Sequence, residues 1–152
     1  MEIVTVEKHS IATRPVMQNM VVGCRIPKDF FITTGKGESN ITVHAGSYHL
    51  ALKEAGIERY NIIVYSSILP GVAQKVMRPV QPDGTHGAVM ETIMAVANSH
   101  KDQRATAAII FGWLYNKKTG KKYGGLVCEY NGHDPEEHAS QTLHAALNEL
   151  YT

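Results

Sequence analysis

Cysteine is scarce in this chain, and neither sign of charge dominates. Its two cysteines, Cys24 and Cys128, stand far apart and outside any CxxC pair. A disulfide scaffold and a zinc knuckle are thereby disfavoured, and small buried hydrophobes in a reducing compartment are expected. Fifteen Lys and Arg against fourteen Asp and Glu leave a net charge of +1, no electrostatic footprint for nucleic acid or an anionic membrane. No apolar run approaches the roughly 18 residues of a membrane span. The opening MEIVTVEKHS lacks the basic and apolar regions of a signal peptide, so a cytoplasmic protein is expected. There is no GxGxxG before a helix, no P-loop and no GxSxG. The GKGES run at 35–39 lacks the second half of a phosphate motif. His133, His138 and His144 are spaced i+5 and i+6, and His44 and His49 i+5. Metal ligands on one helical face need i+3 or i+4, so no metal site is expected.

What remains is a folded chain. Hydrophobic content of 43% and charged content of 19% over 152 residues predict a single domain, 1–152, with a core. The first 20 residues are the least regular, with Ile3, Thr5 and 15–20 suited to an arm or edge strand. Residues 21–26 and 30–33 have strand character, interrupted by Pro27. Residues 44–56 read as a helix with Tyr48, Leu52 and Ala55 on one stripe and Gly56 placed to end it. Residues 61–67 read as a buried strand and 72–77 as a half-buried one. Pro79, Pro82, Asp83 and Gly84 mark a loop.

Residues 87–97, 105–115 and 123–130 are β-type runs, the last two joined by the polar turn NKKTGKK at 116–122. Its four lysines read as solvated turn residues. The closing helix should start with Asp134 as N-cap, Pro135 at the first helical position and Glu137 closing a capping box. Ala139, Leu143, Ala146, Leu147 and Leu150 form its apolar stripe. Strands joined by short turns, with helices to cover them, predict an α+β fold with largely antiparallel sheets.

Two features hold chemical interest. In NIIVYSSILP, 61–70, Ser66 and Ser67 stand side by side where a strand runs out, just before Pro70 and Gly71. Locally this fits a turn, because serine hydroxyls bond nearby backbone groups. The other reading is that one serine attacks the peptide bond joining it to its neighbour. In GGLVCEY, 124–130, Glu129 shares a face with Val127. It lies either on the wet side of its strand or partly buried, where apolar surroundings disfavour the anion and suit a general acid.

Taken together, NIIVYSSILP, HGAVMETIMAV (86–96) and GLVCEY (125–130) followed by a helix resemble, in order and spacing, the pyruvoyl-dependent arginine decarboxylases. The resemblance runs from about Pro27 to the C-terminus. The WLYNKKTGKKYGG hairpin, 113–125, is similar to bacterial members. The resemblance implies self-cleavage between Ser66 and Ser67 into chains 1–66 and 67–152. The Ser67 hydroxyl attacks the Ser66 carbonyl, and β-elimination and hydrolysis leave a pyruvoyl group at 67. It implies a Schiff base between substrate and that group, which takes the electron-sink role of PLP, without PLP or metal. Glu129 becomes the acid that returns a proton to the substrate carbon, and Asn61 an aid to cleavage.

By the same resemblance Tyr48, His49, Leu52 and Ile68 would meet an amino-acid substrate, arginine, which becomes agmatine and CO2. The fold implied is an αββα layered sandwich, and the assembly a homotrimer with active sites between neighbours. Position 49 departs from the family, which has an aspartate there for the substrate's basic end. A histidine cannot accept two parallel N–H bonds from a guanidinium. Either another carboxylate, Glu38 or Glu91, takes that role, or the substrate is another amino acid. A non-catalytic, uncleaved homologue serving as a structural subunit is the third reading.

Overall fold

The computed structural model describes residues 25–77 and 86–151. The arm at 3–20, most of the 21–26 strand, Cys24 and the 79–84 loop lie outside the described residues. The element with the most internal order is the hairpin predicted from the NKKTGKK turn. Strand β6 (Thr106–Tyr115) pairs antiparallel with β7 (Lys122–Gly132), from Thr106 opposite Gly132 to Leu114 opposite Gly124. The turn closes because the Asn116 side chain accepts from the N–H groups of Lys118 (2.9 Å) and Thr119 (3.0 Å), while Gly120 takes a left-handed φ of 65°. Lys122 departs from the expectation of solvated lysines: its ammonium lies 3.9 Å from the centroid of the Trp113 ring and donates to the Ala73 carbonyl at 2.6 Å.

On the other edge of β7 lies β3 (Ile68–Pro70), antiparallel, with Ile68 opposite Leu126 and Leu69 opposite Gly125. Gly124 permits this closeness, and Gly125 permits a matching close approach on the β6 side. A Cβ on Gly124 would stand 2.9 Å from the Leu69 carbonyl oxygen, and one on Gly125 2.8 Å from the Trp113 ring. Helix α2 (Glu136–Leu150) lies across β6 and β7 and buries Ala139 and Leu143. Ala146 and Leu147 are half-buried, and Leu150 is exposed. Beyond the helix, the Tyr151 hydroxyl donates to the Gly112 carbonyl and accepts from the Leu126 N–H at 3.1 Å, tying the chain's end to both strands.

The start of α2 differs from the capping box. Pro135 is the N-cap and Glu136 the first helical residue, with no side-chain cap. Asp134 is engaged elsewhere: it accepts from the Tyr130 hydroxyl and meets His138 Nδ1 at 3.1 Å. Glu136 and Glu137 in the first turn still complement the helix dipole.

The expectation of largely antiparallel sheets holds for β3-β7-β6 alone. Strand β1 (Asp29–Phe30) pairs in parallel with β4 (Gln74–Lys75), and β2 (Asn61–Val64) in parallel with β5 (Val89–Thr92). The fold is mixed α and β. Several strands are shorter than predicted: 30–33, 72–77 and 87–97 each keep only these few paired residues. Ala73 turns inward as a hydrogen-bonded turn follows Pro70.

Residues 44–56 are not one helix. A π-type segment, Val43–Tyr48, kinks at Gly46 (φ −118°, ψ −105°) and gives way to α1 (His49–Ala55), which Gly56 ends in the left-handed conformation. Strand β2 is not buried. Val64 is 60% and Ile63 46% exposed, because β5 occupies only one edge and, among the described residues, no element packs across its faces. Apolar burial is confined to Ala55, Ile57, Leu69, Ala73, Val127, Cys128, Ala139 and Leu143 among the described residues.

Candidate active site

Ser66 and Ser67 stand at the junction of two sheets. Upstream, the Tyr65 N–H still donates to Thr92 of β5 at 2.8 Å. Downstream, the Ser67 carbonyl accepts from Val127 of β7 at 2.9 Å. Between these anchors the chain bends. The Ile68 N–H reaches back to the Ser66 carbonyl oxygen at 2.6 Å, closing a three-residue γ-turn with Ser67 at its apex. The turn expected of this serine pair is therefore present.

Glu129 comes to the same point from β7. It is half-buried, and its Oε1 accepts a hydrogen bond from Ser67 Oγ. Register explains the meeting: Ile68 opposite Leu126 sets β3 so that the residue before it faces the middle of β7. Val127, two residues earlier on β7, is buried, in line with the partly buried alternative for Glu129. The neighbouring Cys128 thiol is pushed above its usual range by burial and by the Glu129 carboxylate. The Ser67 hydroxyl thus has a carboxylate placed to accept its proton. Charge developing on the Ser66 carbonyl oxygen has the Ile68 N–H as a donor.

Asn61 lies at the far end of β2. Its side-chain amide donates to the Gly87 carbonyl at 2.7 Å and its backbone N–H to Ala88 at 2.8 Å. It bonds the start of β5, not the serine pair. Ile68 belongs to the site through its backbone, while its side chain is 67% exposed. Tyr48, His49 and Leu52 are not brought to Ser67 in this chain. Their helix is held by the loop before it, through Thr33 Oγ1 to the Ala55 carbonyl and the Lys36 N–H to Glu54, both 3.0 Å. It packs on none of β2, β3 and β7. Tyr48 is half-buried, with its hydroxyl 3.7 Å from Met94 Sδ, and His49 is exposed.

A group of residues that pattern alone did not assemble lies beside β2. Tyr65 donates through its hydroxyl to Glu91 Oε1, and the Arg25 guanidinium pairs with the same oxygen. Sequence offered Glu91, with Glu38, as an alternative carboxylate for the substrate's basic end, but gave no sign of its meeting Tyr65 and Arg25. Among the described residues no group of three His, Cys, Asp or Glu side chains is placed to hold a metal ion, and no helix is long and apolar enough to cross a membrane.

A sequence profile of pyruvoyl-dependent arginine decarboxylases matches residues 29–152. The chain belongs to the pyruvoyl-dependent arginine decarboxylase family. It is 31% identical over 129 residues to the pyruvoyl-dependent arginine decarboxylase of Methanocella arvoryzae, a match spanning 84% of this chain and 76% of that one. It is 32% identical over 149 residues to the pyruvoyl-dependent arginine decarboxylase AaxB of Chlamydia pneumoniae, covering 84% of this chain and 75% of the relative. The AaxB of Chlamydia abortus is 33% identical over 148 residues. Asn61, Ser66, Ser67, Glu91 and Glu129 all fall inside the span matched to the decarboxylase family, and Arg25 falls before it.

Proposed function

We propose that this chain is a self-processing decarboxylase that makes its own pyruvoyl group at position 67 and converts L-arginine to agmatine and CO2. The observation that carries the reading is the hydrogen bond from Ser67 Oγ to Glu129 at a γ-turn, in a chain of this family. The residues present fit the group: only a side chain with a β-oxygen can attack and then leave, and here that oxygen has a base beside it.

In the first step Ser67 Oγ bonds to the Ser66 carbonyl carbon while Glu129 takes its proton. The C–N bond then breaks, the Ser67 nitrogen gains a proton, and an ester joins the two residues. Loss of the Ser67 Cα proton expels the Ser66 carboxylate as a new C-terminus and leaves a double bond at 67. Hydrolysis there releases ammonia. A pyruvoyl group at 67 would supply a ketone for the substrate amine and an electron sink for the decarboxylation. Glu129, half-buried beside it, returns the proton to the substrate carbon.

Among the described residues of one chain, the substrate side of the site is incomplete. Tyr48, His49 and Leu52 lie on a helix that does not pack against the serine pair, while Ile63, Val64, Ile68 and Val89 present exposed apolar side chains nearby. A trimer with α1 of one protomer facing the serine pair of its neighbour would cover those side chains and complete the αββα layering. The histidine at 49 favours a second reading, the same chemistry on a different amino acid.

The test is the intact mass of purified protein under denaturing conditions, with Ser67→Ala as control. Two fragments, 1–66 and 67–152, the second lighter than its sequence by one ammonia, support the reading. A single uncleaved mass after prolonged incubation refutes it and leaves a structural subunit. With cleaved protein, release of CO2 from a panel of amino acids separates arginine from other substrates.

A further inference from the structure

A decarboxylase for arginine needs a carboxylate for the guanidinium, and position 49 does not supply one. Of the two other carboxylates with that potential, Glu38 lies exposed in the loop before the π-type segment. Glu91 is differently placed. It is on β5 opposite Ile63, and its side chain keeps only 21% exposure. The Tyr65 hydroxyl donates to its Oε1, which fixes the carboxylate's orientation. A guanidinium is already seated there: Arg25 Nη2 pairs with Glu91 Oε1 and reaches the Tyr65 hydroxyl at 3.4 Å.

The distance along the chain is also right. Tyr65 and Ser67 are two residues apart, so their Cα atoms can be at most about 7 Å apart, and the bend at the γ-turn shortens this. The five bonds from an arginine Cα to its guanidinium carbon, each near 1.5 Å, span roughly 6 Å. An arginine held by its amine at 67 is thus long enough to span the separation of the two residues, and Tyr65 carries the hydroxyl that is bonded to Glu91. Arg25 is the group that leaves most easily. Its side chain is 64% exposed, and an exposed ion pair holds weakly.

We infer that Glu91, oriented by Tyr65, is the guanidinium receptor of this site, replacing the carboxylate absent at position 49, and that Arg25 occupies it as a stand-in until substrate displaces it. The inference rests on the decarboxylase reading for its biological meaning. Its test does not, because binding is measured on the uncleaved Ser67→Ala chain, in which this cluster is already formed. Absence of cleavage in the wild type would count against the decarboxylase alone.

Calorimetric titration of the Ser67→Ala protein with L-arginine, and with its neutral isostere L-citrulline, gives the two affinities. Adding Glu91→Gln should weaken arginine by about tenfold or more, as loss of a charge-assisted pair does, and leave citrulline unchanged. Adding Arg25→Ala instead should tighten arginine several-fold, again without effect on citrulline. Unchanged arginine affinity in Glu91→Gln overturns the assignment. Should that variant fail to fold, the exposed Arg25→Ala decides: tighter arginine supports the assignment, and unchanged or undetectable arginine binding overturns it.

Discussion

Replacing Glu129 by glutamine keeps the shape of the side chain and an oxygen able to accept from Ser67 Oγ, but removes the charge and the capacity to take a proton. Because Ser67 Oγ bonds Glu129 directly, with no intervening residue, both losses fall on the attacking atom. A hydrogen bond to an ionised acceptor contributes about 1.5–3 kcal/mol. At about 1.4 kcal/mol per tenfold in rate, lost orientation alone slows self-cleavage by roughly 10- to 150-fold. Loss of general-base catalysis raises the expected deficit to roughly 10²–10⁴-fold. The assay is a time course of intact mass after rapid synthesis or refolding, followed as the ratio of the uncleaved chain to fragments 1–66 and 67–152. Retained Tm and oligomeric state in Glu129→Gln would show that the effect is on the reaction. Cleavage within about threefold of wild type would refute the role of Glu129 as base and leave its bond to Ser67 without a catalytic meaning.

Two other predictions concern stability. Truncating Leu143 to alanine, at 5% exposure beneath β6 and β7, should cost about 2–5 kcal/mol, read as a lowered urea midpoint at unchanged slope; a loss under about 1 kcal/mol would mean α2 adds little to the core. The Tyr130–Asp134 bond should give a pH window. Asp134 is held below its ordinary 3.8, first by the Tyr130 hydroxyl and then by His138, so this stabilisation is present above 3.8 and lost as pH falls through the depressed value. Tyr130 is held above its ordinary 10.0, chiefly by the same bond, so its contribution is present below 10.0 and lost as pH rises through the raised value. The Tm difference between wild type and Tyr130→Phe should thus be largest between those limits and shrink on both sides; a difference that is flat with pH would refute the bond's importance.

Legibility in the sequence followed locality. The 106–132 hairpin and the helix after it were readable because a seven-residue polar turn, strand-forming residues and a 3.6-residue stripe all act within a few positions of one another. Gly56 was readable as a helix end for the same reason. Asp134 misled because a good N-cap residue also makes a good partner for a tyrosine four residues earlier, and the hydroxyl of Tyr130 won. The apolar composition of 61–67 says that the segment wants cover; it does not say that none of the other described elements supplies it. Gly46 breaks a helix whose side-chain pattern runs straight through it. In the candidate site, Ser67 and Glu129 are 62 residues apart, and resemblance, not periodicity, joined them. The Arg25–Tyr65–Glu91 cluster depends on parallel pairing of β2 with β5, which no local pattern announces.

The position of the serine pair between two sheets bears on what a cut there would do. Fragment 1–66 would carry β1 and β2, and fragment 67–152 would carry their partners β4 and β5. Each new end keeps its own anchor, Tyr65 on Thr92 and Ser67 on Val127. The severed protein would therefore migrate as one body under native conditions and as two under denaturing ones. Its refolding, unimolecular for the precursor, would become a second-order reaction slowed by dilution. Maturation at this bond would turn a reversible folder into a particle whose order, once lost, is recovered only by reunion of two chains.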